Sequence, residues 1–372
     1  MKIDSKIYVA GHRGLVGSAI LRQLQSEGYT NLVTRTHAEL DLMRQTDVEA
    51  FFKEEEPEYI FLAAAKVGGI WANNAYPAEF IYNNLAIQNH VIHSAWKTGV
   101  KGLLFLGSSC IYPKMAPQPI REECFLSGPL EPTNEPYAVA KIAGIELCNS
   151  FNRRFATHYL SVMPNNLYGP NDNYDLQNSH VLPALIRKFH LAKLAMQGDW
   201  EGIRKDETIY GPIPEDVRIS LGLTNATEKG DSTVEPKVIL WGSGRPRREL
   251  LYVDDLADAC VFLMNLPRDR FDKLAPLAKA GEGHEINRRY SIPFALPLIN
   301  IGTGKDQTIQ ELAKMVAQLV GFDGVVEWDT SKPDGTPQKL LDVSRLTSLG
   351  WKAKISLQEG IRNAYKDYLR KI

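Results

Sequence analysis

Apolar and polar positions along the first half of the chain follow two alternating periods. Tyr59–Ala65 and Gly102–Gly107 are continuous apolar runs, the pattern of strands covered on both faces. Lys6–Ala10, Asn31–Thr34 and Tyr159–Pro164 read as further short strands. Between them, Leu15–Glu27 sets Leu15, Ala19, Ile20 and Leu24 on one helical face, and helices are also predicted near Thr46–Glu55 and over Pro77–Thr98 and Tyr137–Arg154. Repeated strand-helix-strand units of this kind build a doubly wound parallel sheet of Rossmann type, whose ligands sit beyond the carboxyl ends of the strands.

The pattern changes after Pro170. Asn171–His180 is polar and loop-like, Val181–Ala195 is an amphipathic helix, and Met196–Pro236 is rich in charge, Gly and Pro without a clear period. That segment reads as a passive surface insertion with little core of its own. Val238–Trp241 is a strand, Val253–Asn265 a helix, Arg268–Ile292 a second loop-rich stretch, Leu298–Gly302 a strand and Thr308–Val320 a helix. The expected organisation is an α/β dinucleotide-binding domain over residues 1–170, rejoined by segments near 253–265 and 298–302. A smaller α/β domain, 171–372, would carry the substrate, with an inserted segment near 196–236.

The chain has 372 residues and a net charge of -1, which argues against nucleic acid or an anionic membrane as the main partner. Cys110, Cys124, Cys148 and Cys260 show no C-x-x-C spacing, so neither a metal site nor a disulfide framework is indicated. The N-terminus runs straight into a strand without the regions of a secretory leader, and no segment approaches the ~20 apolar residues of a membrane helix. A cytoplasmic protein is the expectation.

Gly11-His12-Arg13-Gly14-Leu15-Val16-Gly17 follows the first strand and opens the first helix. Glycines there permit a tight turn and let backbone amides approach a pyrophosphate, which a helix N-terminus attracts. Arg35 follows the second strand, where NAD-specific proteins usually place a carboxylate. Together with Arg13 it suits the extra phosphate of NADP, although it could be a solvated strand-end residue. Leu106-Gly107-Ser108-Ser109-Cys110 closes the fourth strand, where Ser108 could stabilise a substrate oxyanion or merely cap the strand end. Tyr137 and Lys141, four apart, share a helix face. A cation beside a phenol favours its ionisation and brings proton transfer into working range.

Ser108, Tyr137 and Lys141 together resemble the catalytic set of the short-chain dehydrogenase/reductase superfamily. Longer strings narrow the resemblance. Ala64-Ala65-Lys66-Val67-Gly68-Gly69-Ile70, Gly107 to Lys114, Glu131 to Tyr137, Asn178-Ser179-His180, Trp241-Gly242-Ser243-Gly244 and Ser331 to Pro337 are similar to those of the GDP-L-fucose synthase family, in the extended branch of that superfamily. The match runs nearly end to end.

This resemblance implies NADP(H) as cofactor and GDP-4-keto-6-deoxy-D-mannose as substrate, inverted at C3 and C5 and then reduced at C4. It implies Cys110 as the base and His180 as the acid of the inversions, Tyr137 as proton donor to the C4 oxygen, Lys141 as holder of tyrosine and ribose, and Ser108 as oxyanion partner. The cofactor contacts it implies are the glycine turn, Arg35, Leu106 to Ser109, Lys141, Pro164-Asn165-Asn166-Leu167 and His180. For the nucleotide sugar it points to Lys188, Trp241, Arg248 and Asp334. Relatives carry threonine where Asn165 stands and arginine where Lys188 stands, and shorter relatives lack most of 196–236 and 268–292. A homodimer through Pro77–Thr98 and Tyr137–Arg154 is implied as well. The rival readings are another nucleotide-sugar enzyme of the branch, a 4-epimerase or 4,6-dehydratase with tightly held NAD, and a catalytically silent dinucleotide sensor. Without the resemblance, Cys110 would be read as packing and His180 as an exposed loop residue; Cys124, Cys148 and Cys260 are read as structural.

Overall fold

The computed structural model describes residues 1–223, 235–267, 269–270, 298–332 and 334–372, with residues 70 and 71 as backbone only. Most of the Arg268–Ile292 stretch, and residues 224–234 of the Met196–Pro236 segment, lie outside the described residues.

The first half alternates as its apolar runs require. In order come β1 (Ile7–Ala10), α1 (Leu15–Ser26), β2 (Leu32–Val33), α2 (Gln45–Glu55), β3 (Tyr59–Leu62), the short α3 (Ile70–Ala75), α4 (Pro77–Lys97), β4 (Gly102–Leu106), α5 (Glu135–Phe155) and β5 (Tyr159–Pro164). β1 and β4 are buried at every position, and a parallel sheet screened by helices on both faces has no polar side to show. The strands line up β2-β1-β3-β4-β5-β9, all parallel, with β9 (Leu298–Ile301) at the edge. The chain leaves β1 in one direction for β2 and returns on its other side as β3. That reversal opens a crevice beyond the ends of β1 and β3.

β6 (Asn166–Tyr168), α6 (Val181–Gln197), α7 (Trp200–Tyr210), α8 (Glu215–Ser220), β7 (Lys237–Trp241), β8 (Arg247–Tyr252) and α9 (Val253–Met264) follow β5. After β9 come β10 (Asp306–Thr308), α10 (Ile309–Val320), β11 (Val325–Asp329), β12 (Gln338–Lys339), α11 (Ser344–Ser348) and α12 (Leu357–Leu369). β8 pairs with β6, β10 and β12, while β7 pairs with β11. α9 packs on α1, where Arg22 and Asp254 meet at 2.6 Å. Among the described residues no helix is long and apolar enough to cross a membrane.

The inserted segment departs from its expectation. Residues 200–220 form α7 and α8, and Ile203, Ile213, Val217, Leu221 and Leu223 join the core around α6, α10 and α12. Their spacing is helical only in pieces, since Gly211, Pro212 and Pro214 break the period between the two helices. A buried ion pair ties α7 down: Arg187 Nε of α6 donates to Asp206 Oδ1 at 2.8 Å, both side chains fully enclosed. The rest of the guanidinium donates to the carbonyls of Tyr174, Tyr210 and Gly211, and Tyr368 of α12 donates to Asp206.

Candidate active site

β1 ends at Ala10 and the chain turns through Gly11 into α1. Gly11 takes φ +84°, and a Cβ there would fall 2.8 Å from the backbone nitrogen of Ala64, just past β3. Only glycine lets the two strand ends close this near. Gly17 is fixed by packing, because its Cβ would lie 2.1 Å from the Gly11 carbonyl oxygen. Gly14 differs. At φ -80° the nearest atom to its Cβ position is 3.5 Å away, so the fold itself tolerates a side chain. Leaving it bare keeps the N-terminus of α1 open, and no acidic residue stands in the first turn, where Leu15 and Val16 follow. A pyrophosphate fits this cradle of amides.

Arg13 is exposed beside the turn. The His12 ring lies against the backbone of Arg35, and burial, then the charge of Arg13, push its pKa below 6.5. Arg13 and Arg35 both act on the carboxylate of Glu39, so two cations gather beyond β2. Arg35 is partly engaged: it pairs with Glu55, donates to the Thr34 carbonyl at 2.9 Å and lies 5.4 Å above the Phe51 ring.

Past β4, a Cβ on Gly107 would sit 2.2 Å from Met163 Cε, so glycine allows β4 and β5 to pack this closely. Ser108 caps the helical turn Ser109–Ile111. Its hydroxyl accepts from the Cys110 amide at 3.2 Å and hydrogen-bonds the phenol of Tyr137. α5 starts with Pro136 in its first turn, which sets Tyr137 and Lys141 one turn apart. Lys141 is buried, donates to the Leu106 carbonyl at 2.8 Å, and holds its ammonium 4.8 Å from the Phe105 ring and 5.8 Å from the Tyr137 ring.

Burial lowers the Lys141 pKa to about 7. Tyr137 moves the other way: burial first, then Cys110, raise its phenol above 10 against the opposing Ser108 hydrogen bond. This corrects the expectation of a phenol tuned down by its lysine. The ammonium lies on the Leu106 carbonyl and over the ring, so it does little at the phenolic oxygen. A neutral phenol at pH 7 is a proton donor.

Cys110 is half-exposed, and its sulfur faces two donors: Asn134 Nδ2 at 3.2 Å and Lys339 Nζ at 3.6 Å. His180 is the N-cap residue of α6 and is exposed at the residue level. The protein mass around it, then the charge of Lys339, hold its pKa below 6.5. Lys339 is therefore the group that Cys110 and His180 share. The loop before His180 is placed by Gly69, whose amide donates to the Asn178 carbonyl at 3.0 Å and whose Cβ would lie 2.9 Å from the Ser179 carbonyl. By contrast Cys148 and Cys260 are buried, and burial raises the Cys148 thiol to about 12.

Asn165 is buried and acts as a tie. Its amide donates to Glu249 Oε2 at 2.8 Å and to the Lys339 carbonyl at 3.1 Å, while its oxygen accepts from Ser109 Oγ at 3.3 Å. Asn166 donates to the Glu249 carbonyl at 2.9 Å, and Pro164 and Leu167 continue the same rim. The side chain at 165 thus joins the β4 rim to the strand bearing Lys339.

The remaining sequence-derived residues line the other domain. Lys188 on α6 donates to the Ile239 carbonyl at 3.3 Å, and burial lowers its pKa against the opposing charge of Asp216. Trp241 is 60% exposed, with Lys332 5.5 Å above its ring. Both border a cleft of about 470 Å³. Arg248 donates to the carbonyls of Arg247 and Thr336 at 2.8 and 2.6 Å. Asp334 accepts from the amide and hydroxyl of Ser243 at 2.8 and 2.6 Å, so its carboxylate fixes the Gly242–Ser243 turn. The stretch 329–339 borders both clefts, with Asp329 and Lys332 in one and Thr336 and Lys339 beside Cys110 in the other.

Neither Asn134 nor Lys339 was singled out from sequence. Asn134 stands inside the Glu131 to Tyr137 string, three residues before the tyrosine, and could have been found there. Lys339 follows the Ser331 to Pro337 string by two residues and has no local mark.

Residues 7–205 and 207–273 match the NAD dependent epimerase/dehydratase family. Among curated proteins the chain is 51% identical to GDP-L-fucose synthase 1 of Arabidopsis thaliana, covering 99% of this chain and 94% of that one. It is 48% identical to GDP-L-fucose synthase of Escherichia coli (strain K12), over 98% and 96%. Among solved structures, a GDP-D-glycero-L-gluco-heptose synthase from Campylobacter jejuni, determined in the presence of NADPH, is 40% identical, with a TM-score of 0.80 over 100% and 99% of the two chains.

Proposed function

Because the chain belongs to the NAD dependent epimerase/dehydratase family and, within it, to the GDP-L-fucose synthases, we propose that it converts GDP-4-keto-6-deoxy-D-mannose to GDP-L-fucose by epimerising C3 and C5 and then reducing C4. It is an NADP-dependent oxidoreductase with epimerase activity. Its main support is the Cys110 thiol beside Lys339, at the same strand end as the hydrogen-bonded Ser108 and Tyr137. A reductase needs the tyrosine and serine; a thiol in the open cleft beside them adds a base.

C3 and C5 flank the C4 ketone, so loss of either proton leaves an enolate whose charge rests on the C4 oxygen. Cys110 removes that proton and His180 returns one to the opposite face. Asn134 aims the sulfur, and the Lys339 ammonium attracts the negative charge that a base must carry. Ser108 donates to the C4 oxygen as charge builds there. Bound NADPH supplies the hydride for the reduction. Tyr137, neutral at pH 7, gives its proton to the C4 oxygen, and Lys141 holds tyrosine and ribose.

The glycine turn takes the cofactor pyrophosphate, Arg13 and Arg35 its extra phosphate, and Leu106 to Ser109, Lys141, Pro164 to Leu167 and His180 its nicotinamide half. Lys188 and Arg248 face the substrate diphosphate, Trp241 and Asp334 the rest of the nucleotide. The working enzyme is a cytoplasmic homodimer joined through α4 and α5. Residues 1–170 with α9 and β9 form the cofactor domain, and most of the remainder closes over the sugar.

Incubation with GDP-4-keto-6-deoxy-D-mannose and NADPH, followed by identification of the sugar, tests the assignment. Formation of GDP-L-fucose with one NADPH consumed per sugar is expected. Turnover without net NADPH use would point to the epimerase or dehydratase alternative. The likeness to a heptose-nucleotide synthase favours a second reading, action on a GDP-heptose, and the same assay with a keto-heptose substrate separates the two.

A further inference from the structure

The 470 Å³ cleft that holds Lys188 and Trp241 is walled on one side by α8, part of the segment read from sequence as a passive insertion. α8 turns Val217 inward to the core and leaves Asp216 exposed at the cleft. The Asp216 carboxylate makes no hydrogen bond or ion pair among the described residues, and it acts on Lys188 only through its charge. The other cleft carboxylate, Asp329, is taken up by Ser331, whose amide and hydroxyl donate to it at 3.0 and 2.5 Å. One flat ring, one carboxylate unengaged among the described residues and the half-buried Lys188 ammonium therefore share a cleft of nucleotide size.

From this arrangement, and on the reading that the substrate is a GDP-sugar, we propose that Asp216 is the base-specificity residue: its carboxylate accepts from N1–H and the C2 amino group of guanine while Trp241 supports the ring. Guanine offers two donors side by side on that edge, the spacing a carboxylate accepts in bidentate fashion. Hypoxanthine keeps the first donor and lacks the second. Adenine and uracil each offer one donor next to acceptors, and those acceptors would face the carboxylate lone pairs unpaired. The insertion thus contributes selection of the base, while Lys188 and Arg248 serve the diphosphate common to all nucleotides.

The 372-residue chain, loaded with NADPH, is titrated calorimetrically with GDP, IDP, ADP and UDP. Wild type binds GDP about tenfold or more tighter than IDP, and both more tightly than ADP or UDP. Asp216→Asn, which keeps the shape and removes one acceptor and the charge, binds GDP roughly 10- to 100-fold more weakly and brings the GDP-to-IDP ratio close to one. Glu215→Gln, one residue away, leaves the ratio unchanged and controls for folding and net charge. A diphosphate effect through Lys188 would weaken all four ligands alike and leave their ratios standing, which overturns the assignment. An Asp216→Asn protein with the wild-type GDP-to-IDP ratio overturns it too. If wild type itself neither binds GDP nor forms a GDP-sugar product, the functional reading falls first; if it does both, only the role of Asp216 is at stake.

Discussion

The ammonium of Lys339 stands 3.6 Å from the sulfur of Cys110 and at the same time bears on the imidazole of His180. One cation thus bears on both the proposed base and the proposed acid, Cys110 and His180, which stand 70 residues apart in sequence. It attracts charge on the sulfur and repels charge on the ring. Replacing it with methionine should raise the His180 pKa, visible in the NMR titration of the ring, because a repelling charge is gone. Solvent-deuterium uptake at C3 and C5 should fall about 10- to 100-fold in the same variant, with Lys339→Arg recovering part of it. An unchanged histidine titration would separate the two groups.

Cys110→Ser should bind NADPH as wild type does and keep its fold, while solvent deuterium at C3 and C5 drops by at least ~100-fold. Mass spectrometry of the sugar after incubation in heavy water reads this directly. Undiminished exchange removes the thiol from the mechanism.

Lys141 titrates near pH 7 because burial penalises its charge. In the unfolded chain a lysine holds its proton to about pH 10.4. Between these values the unfolded state binds the extra proton, so stability rises with pH across the window from about 7 to about 10. Lys141→Met should flatten that slope in urea titrations run at several pH values. In the free enzyme, kcat/KM for reduction should decline as pH rises through about 7, and the methionine variant should lose the limb together with ~100-fold or more of the rate.

Arg35, proposed to hold the added phosphate of NADP, shares its guanidinium with Glu55. Arg35→Ala should raise the KM for NADPH roughly tenfold and leave the NADH value nearly unmoved, since only the former carries the added phosphate. Equal effects on both would return Arg35 to a purely structural partner of Glu55.

The Arg187–Asp206 pair is fully enclosed, and removing one member strands the other charge in the core. Asp206→Ala should lower unfolding stability by about 3–5 kcal/mol in urea. Adding Arg187→Met should recover part of that loss, since no orphaned charge remains. A loss limited to a surface-pair value would mean that α7 is held by other contacts.

Some of this site can be read locally. The glycine turn follows directly on a strand, and Tyr137 and Lys141 sit one helical turn apart, so neighbours in sequence are neighbours in space. The direction of the phenol's pKa was not legible. It depends on where the Lys141 ammonium points, and that is set by the Leu106 carbonyl from another strand. The core of residues 200–223 was hidden for a similar reason: Arg187, Asp206 and Tyr368 come from three helices, and the breakers around Gly211 erase the period between the two inserted ones.

By itself the sequence determined the parallel sheet, the glycine turn after the first strand and the one-turn spacing of Tyr137 and Lys141, because periodicity and short spacings act within a few residues of chain. Tertiary structure decided the rest. It brought Lys339 to Cys110, tied that strand to the β4 rim through Asn165, and put Asp216 and Trp241 on the wall of one cleft. Packing between distant segments fixes these neighbours, and no local pattern records which loop will close over which strand end.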